Sequence, residues 1–175
     1  ARSASGEYLV LLNSDAFPEP DWLSTLHQAA LTHPGHCFAS RLLQVENPAY
    51  LDGEWNVYHA SGLAWRKNHN QPFTKSATNP RSVMSACAAA SAYPRTAFEQ
   101  VGGFDEEFFA YMEDLDLDMR LQLTGYPFLY LPEAVVHHVG SGSTGYRSDF
   151  ATYYGHRNLI WAFVKNMPGY LFYLL

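Results

Sequence analysis

Residues 102–141 read GGFDEEFFAYMEDLDLDMRLQLTGYPFLYLPEAVVHHVGS. From Asp114 to Thr124, Leu117 and Leu121 fall on one helical face, while Leu115, Met119 and Leu123 fall on another. This segment is predicted as a helix that is apolar over much of its circumference. Asp116 and Arg120 stand four apart and can pair, and Gly125 stops the helix. Two apolar runs follow, Pro127 to Leu131 and Ala134 to Val139, and both are predicted as strands. A helix delivered into strands, a pattern met again elsewhere in the chain, points to an α/β domain. The same stretch concentrates chemistry. Asp105, Glu113, Asp114, Asp116 and Asp118 lie within fourteen residues, and the second strand ends on His137 and His138. Carboxylates at a helix start plus a distant imidazole are the parts of an acid/base and metal site.

Outward from this stretch, Tyr8 to Asn13 (YLVLLN) is a short apolar run without alternation, as expected of a central strand buried on both faces. Asp15 follows at its C-terminal end, where open α/β sheets place their ligands. A helix is predicted from Asp21 to Thr32 with Trp22, Leu23, Leu26, Ala29 and Ala30 inward, ended by Pro34 and Gly35. Cys37 to Val45 reads as another strand. Residues 46–82 form a long loop with one strand candidate, Tyr58 to Trp65; loops of that length in compact domains are functional or mobile. Val83 to Tyr93 is rich in small residues that allow close backbone approach to a ligand. A short helix spans Thr96 to Val101, and a last helix spans Phe150 to Asn166.

The chain has 175 residues, 47% hydrophobic and 16% charged, which suits one globular domain with a core. A net charge of -6 argues against sequence-independent nucleic-acid binding. An acidic protein handling an anionic substrate needs a metal ion or local positive groups. Cys37 and Cys87 make no disulfide framework and are expected reduced and buried. No apolar run reaches the length of a complete transmembrane helix. A strand begins almost at once, so the sequence is expected to be a fragment of a longer domain.

Several segments together resemble the family 2 glycosyltransferases, and within them the rhamnosyltransferase-like group. GEYLVLLNSDAFPEPDWL is similar to the segment carrying that family's DxD element. VMSACAAASAYPRTAFEQVGGFDEEFFAYMEDLDLDMRLQLTGY is similar to its acceptor-side loop and catalytic ED segment. LPEAVVHHVGSGST resembles the strand with its late His, and YYGHRNLIWAFVKNMPG the C-terminal stretch of the rhamnosyltransferase-like members. The resemblance implies an α/β GT-A fold, a Rossmann-like nucleotide-binding half joined to an acceptor-binding half. Residues 1–146 would be the C-terminal two-thirds of that domain. Residues 147–175 would be an amphipathic helix whose Arg147, His156, Arg157 and Lys165, set among Trp161, Phe163, Tyr170 and Phe172, suit a membrane surface or, equally, packing on its own domain or on the missing part of it. It further implies Mg²⁺ or Mn²⁺, a dTDP- or UDP-linked sugar donor, rhamnose among the candidates, and an inverting displacement. The acceptor would be a saccharide or lipid-linked saccharide of bacterial surface polysaccharide, and the site of action the cytoplasmic side of the cell membrane.

Carried residue by residue, the resemblance puts Asp15 at the last Asp of DxD, as metal ligand, and Asn13, a weaker neutral donor, where the family has its first Asp. His138 would be the second metal ligand, with His137 on the opposite face of its strand. Asp114 would be the general base and Glu113 its partner or an acceptor ligand. Ser141 in the Gly/Ser run would contact phosphate. Trp65, Tyr93, Tyr111 and Phe109 are candidates for sugar stacking, and Arg95 for an anionic acceptor group. Asp116 is expected to be structural, Asp118 a solvated acid and Asp105 a turn former. The residues alone leave other readings open. Asn13 and Asp15 can cap a helix, Glu113 and Asp114 can be first-turn acids favoured by the helix dipole, and His138 can be a core residue. A non-catalytic carbohydrate-binding module and a nucleotidyltransferase are the rival functions.

Overall fold

A computed structural model describes residues 3–74, 79–140 and 148–170. The order is β1 (Tyr8–Leu12), β2 (Ala16–Pro18), α1 (Trp22–Thr32), β3 (Cys37–Gln44), β4 (Leu51–Gly53), β5 (Asn56–Tyr58), β6 (Ala64–Arg66), β7 (Arg81–Val83), β8 (Ala90–Pro94), α2 (Arg95–Gln100), a 3-10 turn (Glu106–Phe108), α3 (Glu113–Leu123), β9 (Phe128–His138) and α4 (Asp149–Asn166). The main sheet runs β1-β8-β3-β9-β2, with β4 on β3 and β7 on β9, and β5–β6 form a separate hairpin. Among the described residues only β3 and β9 pair in parallel; the other ladders are antiparallel.

β3 (CFASRLLQ) is buried along nearly its whole length because helices cover both faces of the sheet. Phe38 and Leu42 point to one side and meet Trp22, Leu26 and Ala29 of α1. Cys37 and Ala39 point to the other and meet Tyr93, Phe98, Leu117 and Leu121 beneath α2 and α3. The Trp22 indole donates to Ser40 Oγ at 2.9 Å, so the ring is anchored inside α1's contact. α4 packs outside α3, where Phe108, Leu115, Met119 and Ala162 share a third cluster.

Some expectations need correction. The run Tyr8 to Asn13 is not a central strand: among the described residues β1 pairs only with β8, and Val10 and Leu12 are exposed. Leu23 faces solvent, because Trp22, Leu26 and Ala29 already fill the stripe of α1 that meets the sheet. The two strands expected around Pro132 are one strand, β9, whose register against β3 jumps from Ser40↔Leu131 to Arg41↔Val135. The candidate strand Tyr58 to Trp65 is the β5–β6 hairpin instead.

The α3 faces are also unequal: Leu117 is fully buried and Leu123 is 65% exposed. Leu117→Ala is therefore expected to cost about 2–5 kcal/mol. Leu123→Ala should stay within about 0.5 kcal/mol of wild type. Urea unfolding of both variants checks this; equal losses would contradict the burial assigned to α3.

Candidate functional site

After β1 the chain turns at Asn13, whose backbone N–H donates to Ala89 O at 2.9 Å and whose carbonyl accepts from Ala16 N at 3.1 Å. β2 then pairs with the end of β9, with Ala16 opposite His138. That register carries Asp15 against the imidazole: Asp15 Oδ1 lies 3.4 Å from His138 Nε2. On the ring's other side, Nδ1 donates to Asp52 Oδ2 at 2.8 Å. Asp52 owes its direction to a bulge. Leu42 pairs with Gly53 and Leu43 with Leu51, which leaves Asp52 as the extra residue, turned inward. Arg66 Nη1 also donates to Asp52 Oδ2, at 2.6 Å, and its stem crosses β4 where a β-carbon on Gly53 would collide with it. Burial alone pushes the Asp52 carboxyl up. The His138 hydrogen bond and the Arg66 and His69 charges outweigh that and hold it below the usual carboxylate range.

In the neutral ring whose Nδ1–H is held by Asp52, His138 Nε2 turns its lone pair towards Asp15. Two facing acceptors 3.4 Å apart suit adjacent ligands of one divalent cation, each at about 2.0–2.2 Å. The carboxylate–imidazole–ion arrangement is one that proteins use to orient a metal ligand. Among the described residues no set of three or more His, Cys, Asp or Glu converges as a full coordination shell. Asp15 and His138 therefore fit Mg²⁺ or Mn²⁺ only if oxygens from a ligand complete the shell.

Across the same cleft, of about 530 Å³, stands the start of α3. Asp114 Oδ2 accepts from Asn56 Nδ2 and from Ala88 N, both at 3.2 Å, and Oδ1 accepts from Leu115 N at 2.8 Å. Three donors from three segments fix the carboxylate's direction. Glu113 Oε2 is buried and has no hydrogen-bond partner among the described residues. Burial, and then the charge of Asp114, raise the Glu113 carboxyl to about 7. An orphan acid facing a cleft is a place for a ligand hydroxyl.

A raised carboxyl has a consequence for stability. Between about 4.5 and about 7 the folded chain holds the Glu113 proton more tightly than the unfolded chain does. Stability should therefore fall as pH rises through that window and level off above it. Glu113→Gln should flatten this part of a urea-midpoint profile against pH; an unchanged slope would contradict the burial of this acid.

The cleft gathers Asn13, Asp15, Trp65, Tyr111, Glu113, Asp114 and His138. Three sequence candidates lie elsewhere. Phe109 is exposed and lines a neighbouring hollow with Leu12 and Phe104. Tyr93 is fully buried in the core, its hydroxyl donating to Asp118 Oδ1 at 3.0 Å, so it has no face for a sugar. Arg95 starts α2, with Nε donating to Gly6 O at 2.8 Å and Nη1 to Glu99 Oε1 at 3.3 Å, outside the cleft. Ser141, proposed for phosphate, and Arg147 and Phe172 of the membrane reading lie outside the described residues. Asp118 is not a solvated acid: it is fully buried, and its Oδ2 accepts from Ser85 Oγ at 2.7 Å and Ala86 N at 2.6 Å. Burial, then Asp114, push its carboxyl well above the usual range. It anchors the small-residue segment behind the cleft. His137 does take the opposite face, where its Nε2 meets Glu19 Oε1 at 2.7 Å. Asp116 pairs with Arg120 at 2.8 Å.

Four cleft residues were missed: Asp52, Asn56, Arg66 and His69. All come from the long segment 46–82. Its length was the only signal, and it marks the segment without naming residues.

Between the 3-10 turn and α3 the backbone is strained. Phe109 (φ 62, ψ -58) centres a positive-φ γ-turn closed by Ala110 N to Phe108 O at 2.7 Å, and Tyr111 (φ 67) and Met112 (φ 63) are left-handed. Such conformations cost about 1–3 kcal/mol each in non-glycine residues and persist where surroundings impose them.

Comparison with known proteins gives four findings. A family model described as "Glycosyltransferase like family 2" matches residues 1–162. An N-acetylglucosaminyl-diphospho-decaprenol L-rhamnosyltransferase of Mycobacterium tuberculosis is 55% identical over 51 residues, covering 29% of this chain and 17% of that protein. The O-antigen biosynthesis protein RfbC of Myxococcus xanthus is 32% identical over 149 residues, covering 79% of this chain and 11% of that protein. A crystal structure of GalNAc-T7 with UDP, GalNAc and Mn²⁺ superposes with a TM-score of 0.66 at 16% identity, covering 92% of this chain and 32% of that one. The expected α/β architecture of GT-A type stands on that likeness of fold. The chain spans less than a third of the length of any of these three proteins.

Proposed function

The chain belongs to the family 2 glycosyltransferases, and from that premise we propose that it carries the metal, acceptor and catalytic part of an inverting sugar transferase. The donor is a nucleotide-diphosphate sugar, dTDP- or UDP-linked, with rhamnose the favoured sugar. The acceptor is a saccharide or lipid-linked saccharide of bacterial surface polysaccharide. One observation carries the reading: Asp15 and His138 face each other 3.4 Å apart on one side of a cleft whose other side holds Asp114 and Glu113.

Asp15 Oδ1 and His138 Nε2 would hold Mg²⁺ or Mn²⁺, and Asp52 keeps the imidazole in the tautomer and orientation this needs. An ion held there would supply positive charge against the departing diphosphate. Asp114, fixed by its three N–H donors, receives the proton of the acceptor hydroxyl as that oxygen attacks the anomeric carbon from the face opposite the diphosphate. Glu113 Oε2 hydrogen-bonds the acceptor, which relieves its unpartnered burial. Trp65 and Tyr111 supply aromatic walls for sugar rings. On α4, Tyr153, Ile160, Trp161 and Val164 are exposed along one side, which supports a membrane surface or lipid-linked acceptor; the side we propose is the cytoplasmic one. Among the described residues no helix is long and apolar enough to cross a membrane.

The test is calorimetric titration of dTDP and UDP, with and without Mn²⁺, into the polypeptide carrying this chain. It is paired with transfer assays and with sedimentation on anionic vesicles, which tests the membrane part alone. Metal-dependent nucleotide binding and transfer are expected. Saccharide binding that ignores both metal and Asp114→Asn would establish a non-catalytic carbohydrate-binding module instead.

A further inference from the structure

We propose that α4 is part of the catalytic unit, because Asn158 and Arg157 act as positioning residues that set the acceptor-facing wall. The catalytic role of that wall rests on the function proposed above; the mechanical clamp does not.

The strained segment 109–112 has no glycine to accommodate its positive φ angles. Its shape must come from fixed partners, and those partners lie on α4. Asn158 is fully buried. Its Nδ2 donates to Phe108 O at 2.8 Å and to Ala110 O and Tyr111 O, both at 2.7 Å. Two hydrogens thus serve three carbonyls, one of them shared. Arg157 Nε donates to Asn158 Oδ1 at 2.8 Å, and so holds the amide the right way round. Arg157 Nη2 reaches Glu107 O at 3.0 Å and Phe108 O at 3.1 Å. The guanidinium is itself held over the Trp161 and Tyr154 rings at 4.1 and 4.6 Å.

These bonds draw the carbonyls of residues 108, 110 and 111 towards α4. The segment that follows, from Tyr111 through Asp114, lines the cleft. Met112 is the left-handed residue from which α3 departs, and Asp114 stands two positions later. A change at residues 110–112 therefore moves the start of α3 and both acids with it. α4 has separate anchors that survive loss of the clamp: Asn166 Nδ2 donates to Asp116 Oδ1 at 2.9 Å, Lys165 Nζ pairs with Asp116 at 3.1 Å, and Ala162 packs with Phe108 and Met119.

The experiment compares wild type, Asn158→Ala and Arg157→Lys by amide hydrogen exchange and by steady-state kinetics in the full protein. In Asn158→Ala, exchange of amides 109–116 is expected to rise about tenfold or more, with β3 and β9 unchanged, because local opening is decoupled from the core. kcat should fall about 10–100-fold, the effect of a displacement near 1 Å at reacting groups, while donor KM moves less than about threefold. Arg157→Lys keeps the charge but not the fork, and should move both quantities the same way by less. Exchange that stays unchanged at 109–116, or that rises equally in β3 and β9, overturns the clamp. Full kcat per folded molecule, or donor and acceptor constants that fall together, overturns its catalytic role. A wild-type protein that transfers no sugar defeats the proposed function, and the exchange result still decides the clamp.

Discussion

Asp114→Asn lowers kcat by about 10²–10⁴-fold, the range expected when a positioned proton acceptor is removed, and leaves donor KM close to wild type. The substitution keeps shape and length, so the amide oxygen can still accept from Asn56 Nδ2 and Ala88 N. Its NH₂ group then faces the Leu115 N–H that Oδ1 now serves. That mismatch leaves a donor unsatisfied and costs about 1–3 kcal/mol of stability. The fold persists and the proton has nowhere to go. Glu113→Gln is the companion measurement. A neutral amide at 113 still hydrogen-bonds an acceptor hydroxyl, so kcat should fall far less than in Asp114→Asn. Rates of transfer for the two variants, with donor saturating, decide the assignment. A kcat within threefold of wild type for Asp114→Asn would remove it as base, and a larger loss at Glu113 would move the role there.

What the sequence disclosed follows the range of the interactions involved. α3 was legible because its period is local, and so was the alternation that sends His137 and His138 to opposite faces. The meeting of Asp15 with His138 was legible through resemblance; its physical cause, Ala16 opposite His138 in the β2–β9 ladder, is a long-range register that no local pattern states. The edge position of β1 was illegible for the same reason, since an apolar run reports side-chain burial and not the number of neighbouring strands. Asp118 reads as one more acid on a helix. Ser85, Ala86 and Tyr93, from more than twenty residues away, turn it into a buried anchor. Tyr93 was misjudged with it, because an aromatic ring among small residues looks available until its strand is assigned a place in the sheet. The segment that supplies Asp52, Asn56 and Arg66 has little periodicity, and a single bulge decides where Asp52 points.

Asp52→Asn is the sharpest test of how the proposed metal site is built. One oxygen, Asp52 Oδ2, accepts both His138 Nδ1 and Arg66 Nη1. An amide can offer its oxygen to them but brings no charge. The guanidinium then keeps a neutral oxygen, the Cys87 thiol at 3.1 Å and the more distant charge of Asp114. Burial pushes that thiol up to about 11, so it stays neutral and accepts weakly. The apo protein should lose about 1–3 kcal/mol, the cost of a polar group left poorly matched. Mn²⁺ affinity, measured by calorimetry with pyrophosphate present to complete the ligand set, should fall about 10–100-fold, as when a metal-ligating imidazole loses its carboxylate partner. Asp52 is expected to act through the imidazole, and a double-mutant cycle with His138→Ala isolates that contribution. Once the ring is gone Asp52 has nothing to orient, so adding Asp52→Asn to His138→Ala should leave Mn²⁺ affinity nearly unchanged. If the two losses add instead, Asp52 is acting on the ion by charge alone or as a ligand itself, and the site is a three-residue shell in place of a supported pair.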